Sequence, residues 1–178
     1  MRKSIIGMIM ATDMSVHFDF LDKFIKKFPA RTPEEAEVAA AYTEDDQNFA
    51  MAMLLHCADI SNPAKPRPAY FDWTDRVLAE FYNQGEKEAE AGLPVSPFFD
   101  KSKPGVAKMQ TGFINFIVKP IFAAWCDAVP QLREMTMPHI ASNLEIWKAE
   151  TPFLPPDQPY VAAEKKEWDW QKGGWRQL

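Results

Sequence analysis

The chain has 178 residues, 47% of them hydrophobic, which is enough for one domain with a real core. A formal charge of −5 and a pI near 5.3 argue against a nucleic-acid polymer as partner. Cys57 and Cys126 stand alone without CxxC spacing, so no disulfide framework is expected, and a reducing, cytoplasmic setting fits best.

Only seven glycines and few alternating β-branched runs predict a helical chain throughout. Met1-Arg2-Lys3 followed by Ser4 to Ala11 has the outline of a short signal peptide, basic and then apolar. The run is brief, no small-x-small cleavage site follows, and Asp13 interrupts it, so Arg2 to Thr12 is expected to be an amphipathic core helix. Ser15 to Phe28 predicts a second helix with Phe18, Leu21, Phe24 and Ile25 facing inward. Thr32-Pro33-Glu34-Glu35 carries an N-cap, a proline at the first helical position and a capping-box glutamate, and predicts a helix to about Tyr42. The next helix should start at Thr43 or Glu44, with Phe49, Ala52, Met53 and His56 on one face.

The longest element spans about Pro68 to Ala91, with Phe71, Val77, Leu78 and Phe81 as its apolar stripe, Glu86 to Glu90 as a solvated face and Gly92 as its end. A proline-rich loop from Leu93 to Gly105 leads into a helix over Val106 to Val118, which Pro120 kinks or restarts. The apolar run from Phe113 to Trp125 contains Asn115, Lys119 and Pro120, so no membrane span is expected. A final helix covers roughly Pro130 to Glu150, with Leu132, Met135, Ile140, Leu144 and Trp147 inward. Residues 151–178 form a Pro- and Trp-rich tail that is expected to be irregular. The whole is an all-α, compact multi-helix domain over 1–150 with no internal repeat and no second domain.

His56 and Asp59 lie at i and i+3, on one helix face, where a carboxylate and an imidazole can bind a divalent metal or each other. Taken by itself the pair favours a structural role, and Ser61-Asn62-Pro63 favours a helix-ending turn. A wider set of motifs changes that weighting. Ala11-Thr12-Asp13-Met14-Ser15, His56-Cys57-Ala58-Asp59-Ile60-Ser61-Asn62-Pro63, Trp73-Thr74-Asp75-Arg76 and Glu80-Phe81-Tyr82-Asn83-Gln84-Gly85 occur in order. Ser96-Pro97, Asp100-Lys101 and Gln110-Thr111-Gly112-Phe113-Ile114 follow. Over residues 1 to 150 this succession resembles the C-terminal half of the catalytic domain of class I 3′,5′-cyclic-nucleotide phosphodiesterases, an HD-domain-like helical fold.

That resemblance implies roles residue by residue. Asp59 matches the aspartate that ligates the first, tightly bound metal, and Thr12 matches a threonine that bonds water on the second. Zn²⁺ and Mg²⁺ (or Mn²⁺) are the ions implied. Gln110 matches the glutamine that bonds the purine edge, and Phe113 and Val77 match the two sides of a clamp on the base. Without the resemblance Phe113 and Val77 would be assigned to the core. Asn62, Tyr70 and Thr74 match nucleotide-pocket residues, and Met14 and Phe81 match pocket walls. His56 and His17 match non-ligand positions and His139 has no ligand partner, so packing or hydrogen bonding is expected of the first and a surface position of the last.

The resemblance also implies what is missing. Family members carry an upstream His-Asn-x-x-His segment and a His-Asp pair that supply the general-acid histidine and the remaining metal ligands; this sequence has three histidines and no His-Asp dipeptide. The expectation is a domain truncated on its N-terminal side, with apolar faces uncovered by the loss. It belongs to a two-metal enzyme that hydrolyses cAMP or cGMP to the 5′-monophosphate, and should be inactive alone. Asn62 with Tyr70 and Thr74 leans toward cAMP. The competing expectation is a catalytically dead helical module that binds a nucleotide or a partner protein.

Overall fold

A computed structural model describes residues 2–30, 32, 41–103, 105–149, 166–169 and 174–177. Helix α1 (Arg2–Met10) ends where the Thr12 hydroxyl donates to Ile9 O at 2.8 Å, and a short 3₁₀ turn at Met14–Val16 follows, capped by Asp13. Helix α2 is His17–Lys27. The helix expected after Thr32 lies outside the described residues over 33–40. Helix α3 (Glu44–Asp59) opens on a full capping box: the Thr43 hydroxyl accepts from Asp46 N–H while the Asp46 carboxylate accepts from Thr43 N–H. Lys27 reaches the same Asp46 at 2.6 Å and ties α2 to the start of α3.

A 3₁₀ turn at Asn62–Ala64 leads to helix α4 (Arg67–Glu90), which Gly92 ends at φ +69°. Residues 106–128 form one rod with a change of winding. Helix α5 (Val106–Phe113) passes into a π-helical turn (Ile114–Val118) and then into helix α6 (Lys119–Ala128). Pro120 explains the position of the wide turn: it has no N–H for the carbonyl four residues back, and the looser winding makes room for its ring. Helix α7 (Leu132–Lys148) completes the domain.

The core gathers Phe24, Met53, Tyr70, Ile114, Val118, Ile121, Trp125, Ile140, Leu144 and Trp147. Helix α6 packs between α2 and α7, α5 also packs on α7, and α1 lies across α3. In the C-terminal tail, expected to be irregular, strands β1 (Lys166–Asp169) and β2 (Gly174–Gln177) pair antiparallel with Trp168 opposite Trp175 and Glu167 opposite Arg176.

Several inward assignments need correction. Phe18 and Ile25 on α2 and Met135 on α7 are exposed, whereas Leu21, Phe24, Ile140, Leu144 and Trp147 are buried as their spacing predicts. Helix α1 is not a core helix: Ile5, Ile6, Ile9 and Met10 are all exposed, and among its described side chains only Ser4 and Met8 are half-buried. On α3 the exposed positions Met51, Leu54, Leu55, Ala58 and Asp59 fall at i, i+3, i+4, i+7 and i+8, a single stripe. Met51, Leu54 and Leu55 on this stripe and Ile5, Ile6, Ile9 and Met10 on α1 are exposed apolar side chains. Among the described residues no single helix is long and apolar enough to cross a membrane.

The buried histidines form a pair. His17 Nδ1 and His56 Nε2 lie 2.8 Å apart, both rings fully buried, so one donates and the other accepts. His17 Nε2 and His56 Nδ1 have no hydrogen-bond partner. Burial, and then the charge of its neighbour, lowers the pKa of His17; burial lowers that of His56 against a smaller opposite pull from Asp59. Both rings are therefore neutral in the folded state, while unfolded histidine takes a proton near pH 6.5. The stability that this neutral pair carries is full above about pH 6.5 and falls as the pH drops from there toward the lowered folded values. Urea unfolding at pH 7.5 and 5.5 checks this: the wild type should lose more stability on acidification than the double variant His17→Asn/His56→Gln, whose amides stand in for the same ring nitrogens without titrating. An equal loss in both rejects the assignment.

Candidate nucleotide pocket

One cavity of about 560 Å³ opens beside the end of α3. Its floor is Ala58, Asp59 and Ile60, with Ser61, Asn62 and Lys65 on the turn that follows. Trp73, Val77, Glu80 and Phe81 form one wall, at i, i+4, i+7 and i+8 on α4. Met109, Gln110 and Phe113 form the facing wall on α5. Six of the residues singled out in the sequence therefore line one space: Asp59, Asn62, Val77, Phe81, Gln110 and Phe113. Val77 and Phe113 are partly exposed within it rather than sealed in the core.

Tyr70 and Thr74 stand behind the wall instead of in it. Both are buried, and the Thr74 hydroxyl donates to Tyr70 O within α4 at 2.9 Å. Tyr70 nevertheless acts on the pocket through Gln110. Trp147 Nε1 on α7 donates to the Tyr70 hydroxyl at 2.5 Å, and that hydroxyl lies 2.9 Å from Gln110 Oε1. An indole N–H can only donate, so Tyr70 accepts from Trp147 and gives its single proton to Gln110. The atom of Gln110 that faces Tyr70 must then be the acceptor Oε1. Burial pushes the Tyr70 pKa up to about 12, so the donor proton stays in place across the physiological range. A mobile amide is turned by this chain into an oriented one.

Thr12 and Met14 are not among the cavity's lining residues. The Thr12 hydroxyl is engaged with Ile9 O, and Met14 is exposed. His56 is held by His17, in keeping with a packing role, and His139 is half-buried rather than on the open surface. Lys65, Glu80 and Met109 are wall residues that sequence reasoning did not pick out. The signal for Glu80 was present in helical arithmetic, since it follows Val77 by three positions.

The donor set does not complete a metal centre. Among the described residues no group of three or more His, Cys, Asp or Glu side chains is placed to hold an ion. Zinc sites use three or four protein ligands, and Asp59 alone falls short of that. What the residues present can do is bind and orient a flat, polar ring between Val77, Phe81 and Phe113.

The domain is helical, and an oriented amide faces aromatic and aliphatic walls across the cavity. The sequence profile described as 3′5′-cyclic nucleotide phosphodiesterase matches residues 1–140, and the chain belongs to that family. Divalent metal ions are general to it. The 3′,5′-cyclic-AMP phosphodiesterase 4C of Rattus norvegicus is 36% identical over 156 residues, covering 88% of this chain and 29% of the relative. The probable 3′,5′-cyclic-AMP phosphodiesterase pde-4 of Caenorhabditis elegans is 33% identical over 154 residues, 86% of this chain and 23% of the relative. The crystal structure of the phosphodiesterase domain of Salpingoeca rosetta rhodopsin phosphodiesterase superposes with a TM-score of 0.70 at 36% identity, over 83% of this chain and 44% of that one. The chain thus spans about a quarter of the length of these curated relatives.

Proposed function

We propose that this chain supplies the nucleotide-recognition side of a 3′,5′-cyclic-nucleotide phosphodiesterase that hydrolyses cAMP, and secondarily cGMP, to the 5′-monophosphate. The observation that carries the reading is the Trp147–Tyr70–Gln110 relay, which presets a hydrogen-bonding amide on the wall of a cavity large enough for a nucleotide. Gln110 Nε2, turned away from Tyr70, is the group that meets the purine edge, and Val77 and Phe113 hold the faces of the base. Pre-setting the amide removes part of the ordering cost of binding. The names of the relatives favour cAMP.

Asp59 is assigned as one ligand of a Zn²⁺ and Mg²⁺ (or Mn²⁺) pair whose other ligands this set of residues does not provide. When bound, such ions supply the nucleophile and charge stabilisation; the present residues bind and orient the nucleotide. Two buried free thiols suit a reducing cytoplasm, with burial and then the nearby Cys126 pushing the Cys57 pKa up to about 12.

The test is a chimera in which residues 1–149, Trp147 included, replace the corresponding stretch of the rat 3′,5′-cyclic-AMP phosphodiesterase 4C. It should hydrolyse cAMP in the presence of divalent metal, with a lower KM for cAMP than for cGMP, while the 178-residue chain alone binds cAMP without turnover. A folded chimera without hydrolysis, together with no cAMP binding by the chain, would sink the reading.

A further inference from the structure

Asn143 lies on α7, 1% exposed and outside the cavity lining. Its Nδ2 donates to Pro63 O at 2.9 Å and to Lys65 O at 3.0 Å. An amide nitrogen carries two hydrogens, so both are given to one turn about 80 residues earlier in the chain. That turn has no side-chain cap. Its own backbone bonds are Ala64 N–H to Ser61 O and Lys65 N–H to Asn62 O, and Pro63 within it is buried. Without Asn143 the Pro63 and Lys65 carbonyls would lose partners in a place where backbone groups are normally paired.

The turn carries two pocket residues. Asn62 lines the cavity, and Lys65 is the one basic side chain among the described residues that line it, with Nζ 2.5 Å from Ser61 Oγ. A nucleotide brings a phosphate anion, so where Lys65 stands matters for its capture. Trp147, four residues after Asn143 and on the same face of α7, sets the opposite wall through Tyr70. One helix outside the cavity thereby reaches both of its sides.

We propose that Asn143 is a positioning residue for nucleotide recognition: its two hydrogen bonds fix the Ser61–Lys65 turn so that Asn62 and Lys65 face the bound nucleotide. The proposal rests on the cyclic-nucleotide reading of the cavity. Asn143→Asp keeps the shape and removes both donors, setting a carboxylate against two carbonyl oxygens. Asn143→Leu removes the donors without adding charge, and guards against misfolding of the aspartate form.

Amide hydrogen exchange and equilibrium dialysis with cAMP, both on the 178-residue chain, provide the test. In each variant the Ala64 and Lys65 amides should exchange at least about tenfold faster while those of Ile121 and Phe122 in α6 keep their rates, and cAMP affinity should fall about tenfold. Unchanged exchange in the turn, or a uniform acceleration across the chain, overturns the clamp. Faster turn exchange with unaltered affinity overturns its role in recognition. Absence of cAMP binding by the unmodified chain sinks the nucleotide reading instead, and turn exchange then still decides whether Asn143 holds the turn.

Discussion

Asp59→Ala, introduced into the chimeric hydrolase, is expected to lower metal-dependent cAMP turnover more than about a hundredfold, beyond the usual effect of disturbing a ligand's hydrogen-bond partner. The carboxylate lines the cavity at the C-terminal end of α3, where it is exposed to solvent. Gln110→Ala should behave differently. Its loss leaves the buried Tyr70 hydroxyl without its acceptor and takes away the proposed purine-edge contact, so KM for cAMP should rise about tenfold or more while kcat changes little. Steady-state kinetics and metal content of the two variants separate the roles. Equal and mild effects of both substitutions would count against the assignment.

The largest expected effect on stability lies away from the pocket floor, at Gly85. A Cβ there would sit 2.2 Å from Phe99 O and 2.9 Å from its carbonyl carbon, which is backbone and cannot swing aside. The loop is pressed onto α4 at this point. Phe81 and Phe99 stack with ring centroids 4.3 Å apart, and the Glu88 carboxylate accepts from both the Ser96 N–H, at 2.7 Å, and the Ser96 hydroxyl, at 2.9 Å. Gly85→Ala must therefore push the loop off the helix, and should destabilise by about 3 kcal/mol, at the upper end of overpacking costs. Gly92→Ala should cost only about 1 kcal/mol, because space is open there and the penalty is confined to the left-handed φ. Urea midpoints at constant m-value give both numbers. A Gly85→Ala cost at or below that of Gly92→Ala would show that the loop is not seated as described.

Helical period made α2, α3, α4 and α7 legible in the sequence to within a few residues, whereas the Thr43–Asp46 box that opens α3 emerges from the structure. Period alone could not say which apolar face has a neighbour. Phe18, Ile25 and Met135 satisfy the same spacing as Leu21, Phe24 and Ile140, yet nothing among the described residues covers them, and apolarity carries no information about what covers a face. The pocket was legible only as a succession of spaced motifs. Val77 and Phe113 are indistinguishable from core residues on a helical wheel, yet they face a cavity that α4 and α5 wall on two sides beside the end of α3. Tyr70 and Thr74 were placed on the correct helix, but depth is a property of packing between helices. The sequence shows a tyrosine 40 residues before a glutamine motif, whereas only the fold shows that a tryptophan 77 residues beyond that tyrosine decides which way the amide points.

The wide turn at Ile114–Val118 acts as a phase shifter between two jobs on one rod. Each residue of an α-helix advances the side-chain direction by about 100°, and a π turn inserts extra length without a matching advance. Upstream of it, Gln110 and Phe113 look into the cavity; downstream, Ile121, Ala124 and Trp125 look into the core between α2 and α7. The angle between those two outlooks is a setting in its own right, independent of the identity of any side chain. Were the same five residues wound as a plain α-helix, the rod would gain about 100° of rotation, and Gln110 and Phe113 would be aimed away from the cavity with the sequence unchanged.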